Sequence, residues 1–343
     1  MLSIFSYSLT NRMRSFNGMR AICCFVILTL AACSSPEPEG SFSTAVQGVY
    51  SAEFSQQGEL AAIGSIQHGG SLWRTDDAER LYNWNHQSDT RTAITALAFS
   101  PDDEFVVTAD LNSIVLWDAR DGRALRYFDA PGEILYIALT PDAEQALLSM
   151  ADNRAILFDI QRGGILHQIA LEAGILSQAI SGDGRFANFA LDNRVLQRWS
   201  LIDASLDKSL ETQGRVNTLA VSHDGRYAFT SVQHRDASIV DFSTGDVLSK
   251  LKYNNKFFPS FSTFLTARFY DQGRRLLTGN TTGATELWDT GTGERIERWL
   301  TPRGTTFGPT QFSVVAVALA DREQKVHAIT SDGRAFQFPV GLN

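Results

Sequence analysis

The sequence predicts an all-β fold assembled from seven similar repeats. Short apolar segments with the pattern of strands are separated by turns that carry Asp or Gly, most clearly in 94–118, 134–159 and 216–241. The residues that close the third strand of each repeat follow one another at intervals of 44, 41, 41, 41, 48 and 50: Trp73, Trp117, Phe158, Trp199, Val240, Trp288 and Phe338. A period of about 40–45 residues is typical of a four-stranded blade, so the repeats predict a seven-bladed β-propeller.

The first element of the chain is an apolar run over residues 21–32, which follows three arginines. A helix needs about 20 residues to cross a bilayer, so this run is too short to span one, but its length is typical of a signal peptide. The alternative is a buried strand or short helix beside an incidental cysteine. The end of the run, Leu30-Ala31-Ala32-Cys33, resembles the lipobox of bacterial lipoproteins. This resemblance implies a signal peptide over 1–32, with Met1, Met13 or Met19 as the start, and a diacylglyceryl group on Cys33.

The next segment, 33–41, is predicted to be a short extended tether between the lipid and the folded part. Several acyl chains on one protein anchor it stably, so membrane contact is expected through the lipid alone. Ser34 follows the cysteine, where an aspartate would resemble an inner-membrane retention signal. The resemblance therefore implies an outer-membrane lipoprotein that faces the periplasm.

The repeats themselves, residues 44–343, resemble the WD40 family. In four of them an Asp follows the closing residue of the third strand and a Gly comes four residues later, as at Asp118/Gly122, Asp159/Gly163, Asp241/Gly245 and Asp289/Gly293. This pattern is similar to the family's Trp-Asp corner and the turn that leads into the outer strand. No Gly-His dipeptide precedes an inner strand, which leaves the buried His–Ser–Asp network of eukaryotic WD40 blades unsupported here.

Closure of the ring is predicted from the two ends of the repeat array. The seventh repeat ends with Phe338 and has no outer strand of its own, whereas residues 41–47 precede the first repeat without belonging to one. We therefore expect the N-terminal segment to supply the outer strand of the seventh blade, which removes two open sheet edges. The predicted fold is a seven-bladed, WD40-like β-propeller over 42–343, closed by an N-terminal strand and almost free of helix.

Charge and cysteine content exclude several classes of function. The net charge is −8, and it becomes about −11 without the three N-terminal arginines, so the surface repels phosphate backbones and nucleic-acid binding is not expected. The three cysteines lie at 23, 24 and 33, so the propeller can hold neither a disulfide nor a thiolate metal site.

No catalytic motif, metal site or cofactor site is predicted. The sequence contains no G-x-S-x-G, Walker or H-E-x-x-H motif. His68 and His234 occupy the same turn in repeats one and five, but these repeats are not neighbours and a metal needs three or four convergent ligands. We expect both histidines to be solvated turn residues.

The two long intervals between repeats indicate a candidate partner-binding surface. Their extra residues fall in the connections 252–264 and 301–313, which we expect on one face of the ring. Long connections on a rigid scaffold often carry function, and aromatic and basic side chains suit interface centres. The candidate binding residues are Tyr253, Lys256, Phe257, Phe258, Arg303, Phe307 and Phe312. Alternatively, Phe261 and Phe264 only extend a strand or plug a blade.

Three hypotheses for function remain at this point. The first is a non-catalytic scaffold that presents a propeller face to an envelope protein, as the WD40 resemblance implies. The second is a receptor for a small ligand or glycan in the central funnel. The third is a hydrolase or lyase with active residues scattered over several blades, which a funnel with close carboxylates or several histidines would favour.

Overall fold

A computed structural model describes residues 35–66, 68–87, 91–232, 236–252, 263–304, 311–320 and 324–341. The folded body is the compact unit Pro36–Asn343. Of the other compact unit, Met1–Ser35, only Ser35 is described, so the predicted signal peptide and Cys33 lie outside the described residues.

Seven antiparallel four-stranded sheets form the described body. Blade one contains β2 (Val49–Phe54), β3 (Leu60–Ser65), β4 (Gly69–Arg74) and β5 (Arg80–Trp84). Blade two contains β6 (Ala96–Phe99), β7 (Phe105–Ala109), β8 (Ser113–Asp118) and β9 (Ala124–Asp129). Blade three contains β10 (Ile134–Leu139), β11 (Gln145–Met150), β12 (Arg154–Asp159) and β13 (Ile165–Ala170). Blade four contains β14 (Ile175–Ile180), β15 (Phe186–Leu191), β16 (Val195–Ser200) and β17 (Leu206–Glu211).

The remaining blades follow the same order from inner to outer strand. Blade five contains β18 (Val216–Val221), β19 (Tyr227–Val232), β20 (Ala237–Asp241) and β21 (Val247–Lys250). Blade six contains β22 (Phe264–Tyr270), β23 (Arg275–Asn280), β24 (Ala284–Asp289) and β25 (Arg295–Leu300). Blade seven contains β26 (Val314–Ala320), β27 (Lys325–Thr330), β28 (Arg334–Pro339) and β1 (Gly40–Ser43).

The N-terminal strand closes the ring, as the sequence predicts. β1 pairs antiparallel with β28, with Phe42 opposite Ala335 and Gly40 opposite Gln337. Beyond the strand, the Thr44 hydroxyl donates to the Gly333 carbonyl oxygen at 2.8 Å in a buried position. Blade seven is therefore assembled from both ends of the repeat array, and its outer edge is paired.

The closing residues of the third strands occupy one register position in every blade. Each lies opposite a residue of the second strand that is small or aliphatic: Ala61, Val106, Ala146, Ala187, Ala228, Leu276 and Val326. A large side chain fits there because its cross-strand partner is smaller, so the period found in the sequence reflects a repeated packing position.

The Asp–Gly pairs form the predicted turn into the outer strand. In blade two, the Gly122 amide donates to the Asp118 carbonyl at 2.9 Å, and the Asp118 carboxylate accepts the Arg120 amide at 2.8 Å. Gly122 has a φ of 73°, a conformation that glycine adopts without steric cost. The same backbone bond recurs at Gly163, Gly245 and Gly293.

Helix is almost absent from the described residues, as expected. The one helical turn there is a 3₁₀ turn, Asp271–Gly273. Within the described ranges, no helix is long and apolar enough to cross a membrane.

Candidate functional site in the central channel

The inner strands begin with a β-bulge that turns one side chain out of the regular pairing. In blade one, Val49 pairs with Ser65 and Ser51 pairs with Gly64, so Tyr50 between them has no partner. The bulged residues are Tyr50, Leu135, Leu176, Asn217, Leu265 and Val315. In blade two, Thr95 holds the equivalent place between buried Ile94 and β6. A bulge changes the direction of the side chain at its extra residue. Six inner strands therefore begin with a side chain directed out of the regular pairing.

Five of these residues line one end of a central channel: Tyr50, Thr95, Leu135, Leu265 and Val315. We call these five the entrance ring. Tyr50 is 53% exposed, Leu265 43% and Leu135 37%, so large apolar side chains face solvent where the inner strands begin. Apolar side chains grouped in this way mark interaction surfaces more often than isolated ones do.

The channel is a cavity of about 910 Å³, and residues of all seven inner strands line it. At its far end, where the inner strands turn back, Arg268 of blade six reaches past blade seven to blade one. Its guanidinium donates to the carbonyl oxygens of Ser55 at 3.1 Å and Phe54 at 3.2 Å, and it lies 3.4 Å from a Glu53 carboxylate oxygen. The arginine therefore ties two non-adjacent blades together.

Glu53 is the one carboxylate among the described residues that line the channel, and His223 is the one histidine. Burial raises the pKa of Glu53, and Arg268 and the Phe99 amide oppose that shift by stabilising the anion. The amide donates to Glu53 Oε2 at 3.2 Å. The close carboxylates or several histidines that would favour a hydrolase or lyase are therefore not found in this lining.

A buried polar network in blade two was not expected from the sequence. Trp117 Nε1 donates to Thr108 Oγ1 at 2.7 Å, and Thr108 Oγ1 lies 2.7 Å from His86 Nε2. The other ring nitrogen of His86 lies 2.6 Å from Ser113 Oγ and 3.4 Å from Asp110 Oδ2. A His–Ser–Asp network is therefore present in blade two although the Gly-His dipeptide is missing, and Asn85 stands where the glycine would be.

The network has a defined proton arrangement. Ser113 Oγ donates its proton to Asp110 Oδ1 at 2.8 Å, so His86 Nδ1 carries the proton that lies between it and Ser113 Oγ. Nε2 of the neutral ring then accepts the Thr108 hydroxyl proton, while Thr108 Oγ1 accepts the indole proton. Burial lowers the pKa of His86 to about 4, against a smaller opposing effect of Asp110. A neutral, fully bonded histidine of this kind stabilises the blade and does not serve as a metal ligand.

The predicted partner-binding residues fall mostly outside the described part of the chain. Tyr253, Lys256, Phe257, Phe258 and Phe307 all lie there. Arg303 is exposed, and the half-buried Phe312 ring has the Arg334 guanidinium carbon 5.4 Å from its centroid.

The described strands nevertheless define where the two long connections lead. One joins β21 to β22, whose second residue is Leu265, and the other joins β25 to β26, whose second residue is Val315. Both connections therefore run directly into the entrance ring. Phe264 is fully buried, with edge-to-face contacts to Phe229 and Trp288, and so packs inside the blade.

Of the two turn histidines, His68 lies among the described residues. His68 Nδ1 lies 3.1 Å from the Ile66 carbonyl, and His234 is outside the described part. No group of three or more His, Cys, Asp or Glu side chains that could hold a metal occurs in the described ranges.

Comparison with known proteins gives a family match and several partial relatives. The family model "WD domain, G-beta repeat" matches residues 79–118, the segment that contains all the members of the His86 network. The human angio-associated migratory cell protein is 35% identical over 194 residues, which are 55% of this chain and 44% of that protein. Eukaryotic translation initiation factor 3 subunit I of Candida albicans is 23% identical over 230 residues, which are 58% of this chain and 64% of that protein.

A third relative, autophagy-related protein 16 of Arabidopsis thaliana, is 21% identical over 186 residues, 52% of this chain and 35% of that protein. The chain thus matches less than two thirds of the length of each of these relatives. The repeat match, the seven four-stranded sheets and the Asp–Gly turns agree with one another. The repeat match and the seven-bladed architecture support a WD40-repeat β-propeller family for this chain.

Proposed function

We propose that this chain is a non-catalytic protein-interaction scaffold: an outer-membrane lipoprotein, anchored through Cys33, that presents its entrance ring to another envelope protein. The observation that carries the proposal is the solvent exposure of Tyr50, Leu135 and Leu265 at one end of the channel. Burial of such side chains by a partner contributes roughly 25 cal/mol per Å² of apolar surface.

The strands beneath the entrance ring are joined by side-chain hydrogen bonds, which favours binding because less order has to be imposed on association. Hydrogen bonds join neighbouring inner strands at this level. Ser51 Oγ donates to the Ile94 carbonyl at 2.9 Å, and Thr218 Oγ1 donates to the Phe264 carbonyl at 2.7 Å. The Tyr136 hydroxyl donates to the Leu176 carbonyl at 2.6 Å.

The comparisons agree with the scaffold part of the proposal. The Candida albicans relative is by name a subunit, so that protein works in contact with other proteins. Fold alone does not establish a function, so the scaffold role is inferred from the exposed side chains of the entrance ring.

A crosslinking experiment tests the scaffold. A photo-crosslinking amino acid at position 50 or 265 of the full chain should capture one envelope protein in intact cells. The matched control is position 202, where Ile202 is 81% exposed in the turn after β16, at the opposite end of the blade from the entrance ring. Equal capture from position 202, or no capture from 50 and 265, would contradict the proposal.

The lipid anchor gives a second prediction. Metabolic labelling with an alkyne fatty acid should tag the wild-type chain, and the Cys33→Ser variant should lose the label. A Cys24→Ser variant controls for a neighbouring thiol. Persistence of the label in Cys33→Ser would show that the anchor is elsewhere or that this segment is not a lipoprotein signal.

A second candidate function is a receptor for a small ligand or glycan, favoured by the channel volume of about 910 Å³. Ligand at about 100 times its dissociation constant stabilises a protein by about 2.7 kcal/mol. A thermal-shift screen of envelope glycans and peptides therefore separates this function from a scaffold that uses only the entrance ring.

A further inference from the structure

The interfaces between successive blades share one packing position, and one interface differs from the rest. At each interface the closing residue of a third strand meets the outer strand of the preceding blade. Phe42 faces Trp73 with ring centroids 5.7 Å apart, and Trp84 stacks on Trp117 at 5.2 Å.

Four further interfaces repeat this arrangement. Phe128 meets Phe158 edge-on at 5.2 Å. Trp199 packs in the cluster that holds Ile169, Trp288 in the cluster that holds Leu251, and Phe338 in the cluster that holds Trp299. Thus six of the seven interfaces contain at least one aromatic ring at this position.

Between blades four and five the same position holds Val240 and Leu210, neither of which is aromatic. A cavity of about 460 Å³ opens there, lined by these two residues and by Leu196 and Thr230. Engineered apolar cavities of roughly 150 Å³ already bind benzene, so this one has room for an aromatic ring.

A polar group at the cavity wall indicates which ring fits best. In blade six, Thr278 Oγ1 donates to the Glu286 carbonyl at 3.3 Å and accepts the Trp288 indole N–H at 2.9 Å. Thr230 has the same register in blade five and donates to the Ser238 carbonyl, also at 3.3 Å. The Val240 side chain has no N–H to donate. The Thr230 lone pair that corresponds to the indole acceptor of blade six therefore faces the cavity.

The rim of the cavity is open and negatively charged, which suits a neutral or basic segment of a partner polypeptide. Val247, at the outer strand, is 51% exposed, so the cavity is open from the side of the ring. Glu211 and Asp236 stand at the rim, and Asp236 is paired with Lys250 at 3.6 Å. Two carboxylates against one lysine give the rim a net negative charge, which favours a neutral or basic segment of a partner chain over an acidic one.

We propose that the cavity between blades four and five is a docking site for an aromatic side chain, preferably an indole, presented by a partner polypeptide. This site lies between the third strand of blade five and the outer strand of blade four, and it is separate from the entrance ring. It does not depend on the scaffold function proposed above.

The test is titration of N-acetyltryptophanamide, which mimics a tryptophan within a chain, into the purified full-length protein. We expect a dissociation constant of about 0.1–1 mM, as befits a ligand of this size. Val240→Trp should weaken binding by at least about tenfold because the new side chain fills the cavity, and it should raise the melting temperature. Val240→Phe is the second variant if the larger side chain prevents folding.

Two further variants complete the design. Thr230→Val should weaken the binding of N-acetyltryptophanamide but leave the binding of N-acetylphenylalaninamide unchanged. Of the two rings, only the indole carries an N–H that can donate to Thr230. Phe158→Trp makes a similar change at the interface of blades two and three and should leave binding unaltered. Absence of saturable binding to the wild type, or unchanged binding to Val240→Trp and Val240→Phe, would overturn the proposal.

Discussion

At the scale of single residues, His86 shows how much one buried side chain contributes to a blade. Its side chain is 0% exposed and its two nitrogens are engaged by Thr108 and Ser113. A proton on Nε2 would displace the Thr108 hydroxyl proton from its acceptor. Both burial and this hydrogen-bond pattern therefore favour the neutral histidine.

This arrangement predicts a specific pH dependence of stability. The pKa of His86 is about 4 in the folded chain and about 6.5 when unfolded, so the unfolded state takes up the proton first as the pH falls. His86 thus contributes stability that is fully present above about pH 6.5 and is lost down to about pH 4. Between pH 7 and pH 5, the free energy of unfolding should fall by about 2 kcal/mol because of this residue.

Urea denaturation of the wild type and His86→Gln at both pH values measures that difference. The variant should be less stable at pH 7 and should lack this part of the pH dependence. His167→Gln, at a partly buried histidine of β13, is the control and should behave as the wild type. An identical pH dependence in the wild type and His86→Gln would show that His86 titrates normally.

The network also shows what a single sequence reveals at residue level. The histidine is 22 residues from Thr108 and 27 from Ser113, and no local pattern links them. The members of the network nearest to a recognisable motif are Thr108 and Trp117, which are nine residues apart on two neighbouring strands. Contacts between side chains that are brought together only when three strands pair cannot be predicted from the local sequence.

At the scale of elements, the strand register was predictable and the bulges were not. The closing residues recur because a large side chain is needed at one position in each blade, and that need leaves a period in the sequence. A bulge adds one residue at the start of an inner strand and barely disturbs the apolar pattern. Tyr50 and Leu265 were therefore not recognised as exposed residues of the channel.

The interface between blades four and five illustrates the same difference. Val240 is visible in the sequence as the one closing residue that is not aromatic. The cavity becomes apparent only when Leu210 is found opposite it, 30 positions earlier in the chain and on the preceding blade. Which outer strand meets which third strand is a property of the ring.

At the scale of the whole molecule, the ring depends on the pairing of its two ends. The four residues of β1 complete blade seven, and Phe42 also packs against Trp73 of blade one. The entrance ring and the cavity between blades both require a closed ring, because their residues come from blades that are distant in sequence. The proposed interaction surface and the docking cavity therefore both require closure of the ring.

An engineered disulfide tests closure most directly. Phe42 and Ala335 face each other across β1 and β28, so Phe42→Cys with Ala335→Cys should form an intramolecular disulfide under mild oxidation. Phe42→Cys with Gln337→Cys places the second cysteine two residues out of register and is the control. Non-reducing peptide mapping of the monomer should find residues 42 and 335 linked in the first variant and no link in the second. Failure of the first pair to link, or equal linking of the control, would contradict a ring closed by the N-terminal strand.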